Sequence, residues 1–239
     1  MKGLQGSIAP FQDFGMGGLK RVVQRMEKRP THPFFVGAKW VPNSGTEPYQ
    51  TVISLPEASS AGDICYIASA YNQTEMPAGF IAFENWVMKH RVDQWIKHGY
   101  KILNKEDISA GHISFNSVPS TSGYAAAICV LRGASAAIDR GCVESDPAMF
   151  QASFSASPTD KSLGWLSVAC DFDLRFADWK PSLPLVLKSI TASPSGRYDL
   201  AFAFWEGRRA YAGQKLLWEW FGNDHGTGSN LVGLIELRP

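Results

Sequence analysis

Residues 124–133, YAAAICVLRG, set the tightest limit on what this chain can fold into. From Ala125 to Leu131 the residues are apolar without a break, with SVPSTSG before them and Arg132-Gly133 after. Such a run reads either as a strand buried on both faces or as a short core helix, and periodicity alone does not choose between them. The small and β-branched residues, the bounding glycines and the modest length favour a strand. It is expected to be the central strand of a sheet.

The segments around it carry the same signal. FFVGAKWV (34–41), QTVISL (50–55), DICYIASA (63–70), GFIAF (79–83) and HISFNSV (112–118) precede it. MFQASF (149–154), LGWLSVACDF (163–172), LPLVLKSI (183–190), YDLAFAFW (198–205), KLLWEWF (215–221) and LVGLIEL (231–237) follow a polar link at 133–148. Gly/Pro/Ser-rich clusters such as PNSGTEP and TASPSGR part them, the pattern of a sandwich or barrel. In YDLAFAFW, Tyr198, Leu200, Phe202 and Phe204 share one side, while Asp199, Ala201, Ala203 and Trp205 share a smaller side that faces solvent or another sheet. Trp86 to Leu103 sorts poorly on either period; a helix is favoured over its first part, with helix or strand left open for 86–97, and a strand is expected from His98 to Leu103. The expectation is an all-β chain, a β-sandwich or jelly roll of about ten or more antiparallel strands. A chain of 239 residues suits one such body over 36–239, because neither half has enough strands to cover its own faces.

Residues 1–35 read differently. Gly3, Gly6, Gly15, Gly17 and Gly18 stand among scattered apolar residues, as in an extended arm. Within it Leu19, Val22, Val23 and Met26 recur at helical spacing, with Arg21 and Arg25 mostly elsewhere and Pro30 as the stop. A helix of about ten residues is marginal alone in water. It either docks on a partner through Leu19, Arg21, Val22, Val23, Arg25 and Met26 or packs on its own domain. Membrane-surface binding fits less well, because the apolar face carries no Trp or Phe.

Net charge is about +1, so no global field gathers nucleic acid or an anionic membrane. No apolar stretch is long enough to span a bilayer and the start shows no continuous apolar core, so a soluble chain without a cleavable export signal is expected. Cys65, Cys129, Cys142 and Cys170 form no C-x-x-C pair. Three of them lie in strand-like runs and read as buried free thiols, although a Cys65–Cys129 bridge between neighbouring strands is conceivable.

No arrangement of residues names a chemistry. His32, His90, His98, His112 and His225 are scattered without metal-ligand spacing, and only His90 and His98 lie as near as eight apart. Asp171 and Asp173 supply two of the six to eight oxygens a calcium ion takes. No G-x-S-x-G elbow occurs. GMGGLKR and GTGSN lack the strand–loop–helix setting of a phosphate loop. No cofactor, metal or catalytic residue is therefore expected. Aromatic surfaces remain: Trp218 and Trp220 stand two apart before a polar loop with Asn223, Asp224 and His225, a possible sugar-stacking platform. The competing reading of both tryptophans is core or subunit interface.

Four short segments resemble a group of tailed-phage and prophage proteins: Gly62-Asp63, Pro77-Ala78-Gly79-Phe80, Tyr100-Lys101-Ile102-Leu103 and Leu131-Arg132-Gly133. The likeness covers about a third of the chain directly. It implies a non-enzymatic virion component with a β-sandwich or jelly-roll body, at the tail, baseplate or head surface and made in the bacterial host cytoplasm. The implied partners are other virion proteins and further copies of the chain, which would cover exposed strand edges. The alternative is a host-surface carbohydrate binder working through Trp218, Trp220, Asn223, Asp224 and His225.

Overall fold

A computed structural model describes residues 33–41, 50–70, 75–88, 95–116, 125–144, 151–155, 164–171, 179–181, 186–191, 199–206, 215–220 and 230–239. All fall within the unit His32–Pro239. The helix expected in the arm and the six residues expected to dock lie outside the described residues, as do Asn223, Asp224 and His225.

The described residues are all-β apart from one short helix. In order come β1 (Phe34–Val41), β2 (Gln50–Ser54), β3 (Ile64–Ala70), β4 (Ile81–Ala82), β5 (Trp86–Val87) and β6 (Trp95–Ile102). Helix α1 (Lys105–Ala110) leads to β7 (His112–Asn116), β8 (Ala125–Arg132), β9 (Ala136–Glu144) and β10 (Gln151–Ser155). Then follow β11 (Gly164–Asp171), β12 (Trp179–Pro181), β13 (Val186–Thr191), β14 (Asp199–Glu206), β15 (Lys215–Trp220) and β16 (Asn230–Arg238). Every described pairing is antiparallel.

The apolar run at 125–131 is β8, an inner strand of a six-stranded sheet in the order β1-β8-β3-β6-β4, with β5 also on β6. Period-two alternation divides its side chains between two cores. Ala125, Ala127, Cys129 and Leu131 join Ile64, Tyr66, Ala68 and Ala70 of β3 on one face. Facing them are Leu166, Val168 and Cys170 of β11, Leu200, Phe202 and Phe204 of β14, and Leu231, Ile235 and Leu237 of β16. Those strands belong to a five-stranded sheet, β13-β14-β11-β16-β9, so the main core is a two-sheet sandwich. Ala126, Ile128 and Val130 point the other way, with Cys65 and Ile67, onto Ile53, Ile113 and Phe115 of the β2–β7 pair. The six-stranded sheet is thus a middle layer, which is why β3 and β8 have no polar row.

The same parity settles the cysteines. Tyr66 pairs with Cys129 and Cys65 with Val130, so Cys65 and Cys129 sit on opposite faces of the sheet. No bridge joins them, and all four cysteines are free. On β14, Leu200, Phe202 and Phe204 line the sandwich core, and Ala201 and Ala203 are fully buried too. Of the small side of YDLAFAFW, Ala201 and Ala203 therefore lie under further protein rather than in water.

Two expectations need correction. No helix forms over the described part of 86–97: Trp86–Val87 is a strand on β6, which already starts at Trp95. Ile96, His98 and Tyr100 alternate inward there, and sheet pairing overrides the ambiguous local pattern. The polar link at 133–148 contains β9, a nine-residue edge strand paired with β16 and bulged opposite Gly233–Ile235. Its polar residues sit where an edge strand tolerates them.

Of the four segments that carry the resemblance, Gly62-Asp63 and Pro77–Phe80 lie in turns, and the other two lie at the ends of β6 and β8. Asp63 is almost fully buried; its carboxylate accepts from Nε and Nη2 of Arg132 at 2.8 and 2.9 Å and from the Ser60 amide at 2.8 Å. Arg132 Nη2 also reaches the Ala58 carbonyl, and its guanidinium lies over the Phe34 ring, so one side chain closes the 58–63 turn against β1 and β8. Pro77 to Phe80 forms a β-turn closed by the Phe80 amide on the Pro77 carbonyl, with Gly79 at φ +80° in the position that demands glycine. Lys101 lies over the Phe80 ring and bonds Asp107 at 2.7 Å. Asp107 is half of the capping box that starts α1: Asn104 Oδ1 accepts from its amide, and its own Oδ2 accepts from the Asn104 amide.

Arg132→Ala leaves the Asp63 carboxylate buried without its counter-charge. We expect a loss of about 3 kcal/mol in denaturant unfolding, in the range for breaking a buried ion pair. A midpoint within error of the parent would show that the turn holds without the pair.

Candidate functional site

A polar constellation lies inside the sandwich, where the β6 side of one sheet meets the β9 side of the other. Strand parity puts His98 in the inward row of β6 between Ile96 and Tyr100, and Tyr66 in the inward row of β3. Both are fully buried. From the facing sheet Asp139 of β9 points inward two residues after Ala137, with 18% of its side chain exposed. Trp86 of β5 lies between the sheets.

His98 is held at both ring nitrogens. Nε2 lies 2.9 Å from the Glu84 carbonyl and Nδ1 lies 2.9 Å from the Tyr66 hydroxyl. A carbonyl only accepts, so Nε2 carries the proton and Nδ1 accepts from Tyr66. The Asp139 carboxylate stands 3.6 Å from Nε2. It accepts from Trp86 Nε1 at 3.1 and 3.2 Å and from the Gly141 amide at 2.7 Å. The Trp86 and His98 rings pack with centroids 3.9 Å apart, and Phe83 lies against His98 at 5.2 Å. The far edge of the Trp86 indole rests on Gly233 of β16: a Cβ built there would come within 1.9–2.4 Å of three ring atoms. Trp86 thus bridges the two sheets only because position 233 is glycine.

Burial governs the proton affinities. Loss of water pushes the His98 ring down to about 4, against a smaller upward pull from the Glu84 carbonyl. Burial first, then Asp139, then Cys129 raise the Tyr66 hydroxyl above its ordinary value. Burial also raises the Asp139 carboxyl, with the Gly141 amide and the Trp86 indole opposing it. The cluster is therefore a neutral imidazole clamped between a hydroxyl and a carbonyl, beside one carboxylate. It holds a proton at Nε2 and ties two sheets together.

A second group lies on the opposite face of the five-stranded sheet. Glu236 is fully buried and its carboxylate accepts from Nε and Nη2 of Arg140 and from Nε and Nη2 of Arg238. Among the described residues no three His, Cys, Asp or Glu side chains are grouped to hold a metal ion, and no helix is long and apolar enough to cross a membrane.

Of the residues singled out from the sequence, His98 alone enters the main cluster, and in a different role from the one considered. His90 and Asp173 lie outside the described residues. Trp218 and Trp220 stand on β15, the middle strand of a three-stranded sheet β10-β15-β12, across from Pro181 and Trp179 respectively. Tyr66, Trp86 and Asp139 were not singled out. A usable signal existed for one partner: a histidine in the inward row of WIKHGY calls for a buried hydrogen-bond partner. No local signal marked Asp139, whose neighbours read as a polar link.

Gly233→Ala drives a methyl group into the Trp86 indole and is expected to cost about 1–3 kcal/mol, the usual range for overpacking. Trp86→Leu in the same chain should recover part of that loss; equal stability of Gly233→Ala and parent in thermal unfolding would contradict the contact. Comparison with known proteins found no matching family model, no matching curated protein and no matching solved structure.

Proposed function

We propose that this chain is a non-enzymatic structural component of a tailed-phage virion, at the tail, baseplate or head surface, joined to the particle through residues 1–35 and assembled with further copies of itself. One observation carries the reading. The residues of the phage-like segments converge on contacts that stiffen the body: Asp63 with Arg132, and Lys101 with Phe80 and Asp107. A rigid multilayered body with an arm that orders on a neighbour suits particle assembly, where interfacial burial offsets the ordering entropy.

A second reading has its own support. The register sets Trp179 directly across from Trp220, adding a third tryptophan to the small sheet that bears Trp218. A host-surface glycan stacked on that sheet would make the chain a receptor-binding module, with Asn223, Asp224 and His225 as hydrogen-bonding neighbours.

Deleting residues 1–30 is expected to leave a folded body that no longer joins particles, read by incorporation of tagged protein during assembly. Unchanged incorporation would count against the arm as the anchor. On a glycan array the intact chain should show no retention under the first reading. Under the second, retention appears and Trp220→Ala abolishes it while folding and assembly persist.

A further inference from the structure

Residues 79–88 run along the edge of the six-stranded sheet and reach across to the five-stranded one. β4 pairs only through Ile81 and Ala82, and β5 only through Trp86 and Val87. Between them the strap is held chiefly through His98. The Phe83 amide donates to the His98 carbonyl at 3.0 Å, and His98 Nε2 donates to the Glu84 carbonyl at 2.9 Å. The imidazole also supports the Trp86 ring, whose indole N–H is tied to Asp139 on the other sheet. We propose that residues 79–88 form an acid-released latch, closed by the neutral form of His98 and opened when that ring takes up a second proton.

The hydrogen-bond pattern supplies the mechanism. Nε2 already carries a proton toward Glu84, so the second proton must enter at Nδ1, where the ring accepts from Tyr66. The Tyr66 oxygen can then only accept from the new N–H, and its own hydrogen has to swing away into a core whose neighbours are Cys129 and Phe202. A buried donor without a partner is costly. The new cation is itself fully buried, facing Asp139 from β9, Tyr66 from β3 and the uncharged Trp86 from β5, with Gly233 of β16 beyond the indole. Glu84 faces it with its carbonyl while its side chain is exposed. Among the described residues Asp139 is the one counter-charge in reach. It stands 3.6 Å off, and its carboxylate also accepts from Trp86 and Gly141.

The sign follows from which state binds protons first. An opened latch returns His98 to water and its ordinary value of 6.5, while the closed ring resists protonation to about 4. Acid therefore favours opening as pH falls from 6.5 to 4, with no effect above that window and the full effect below it. Asp139 works in the opposite sense, because its carboxyl is raised in the closed state. The net effect between pH 7 and pH 5 is on the order of tenfold in the opening equilibrium.

Hydrogen–deuterium exchange of the full chain at pH 7 and pH 5, corrected for intrinsic rates, tests the latch. Peptides covering 79–88 should lose about tenfold in protection at pH 5, while β8 peptides at 125–131 keep theirs. Equal protection of 79–88 at both pH values overturns the proposal, and so does a parallel loss at β8, which signals global unfolding. His98→Asn should abolish the pH dependence in 79–88, and its persistence there overturns the proposal. Should that variant fail to fold, Asp139→Asn serves. It removes the counter-charge and the opposing proton uptake, so the loss at pH 5 should exceed that of the parent; an equal or smaller loss overturns the latch.

Discussion

Burial of one sheet on both faces organises this molecule. Seven consecutive apolar residues in β8 and a matching row in β3 leave the middle layer without a side that water can wet. At roughly 25 cal/mol per Å2 of apolar surface, exposing either face would remove a large part of the driving force for folding. The five-stranded sheet and the β2–β7 pair are the two answers to that demand. Register follows from it as well, because a one-residue slip would exchange the side chains of the two cores.

A core this dry makes its polar groups expensive, and each of the main ones is paired. Asp63 has Arg132, Glu236 has Arg140 and Arg238, and His98 has Tyr66 and the Glu84 carbonyl. The first two are ion pairs near a margin, where the arginine keeps part of its guanidinium in water. The third is uncharged, and both the imidazole and the Tyr66 side chain are fully buried. That difference matters for behaviour: an ion pair at the rim tolerates a change of pH that leaves both partners ionised, whereas a neutral imidazole between sheets is sensitive to one added proton.

Trp86 joins these themes. Its indole spans the gap between the sheets, lies on the imidazole, and needs the bare backbone of Gly233 to fit. Two-residue strands contribute little by themselves, so the strap that carries Trp86 is fastened by side chains more than by its ladder. Short, interrupted edge strands are also one way a sheet avoids pairing with another chain. The same geometry therefore closes the sandwich and blunts its edge.

The sequence by itself determined the strand content, the inner position of β8, the burial of three of the four thiols and the two faces of β14, since these depend on local composition and a period of two. It carried only part of the edge structure. Ambiguous alternation in 86–97 suggested a helix, and the charged residues of β9 suggested a link, because an edge strand is defined by its neighbour rather than by its own pattern. Only the tertiary structure decided that Cys65 and Cys129 face apart, that His98 meets Tyr66 and Asp139, and that Trp86 rests on Gly233. Those contacts join residues 32 to 147 positions apart, and no local pattern encodes a meeting that depends on how two sheets are stacked.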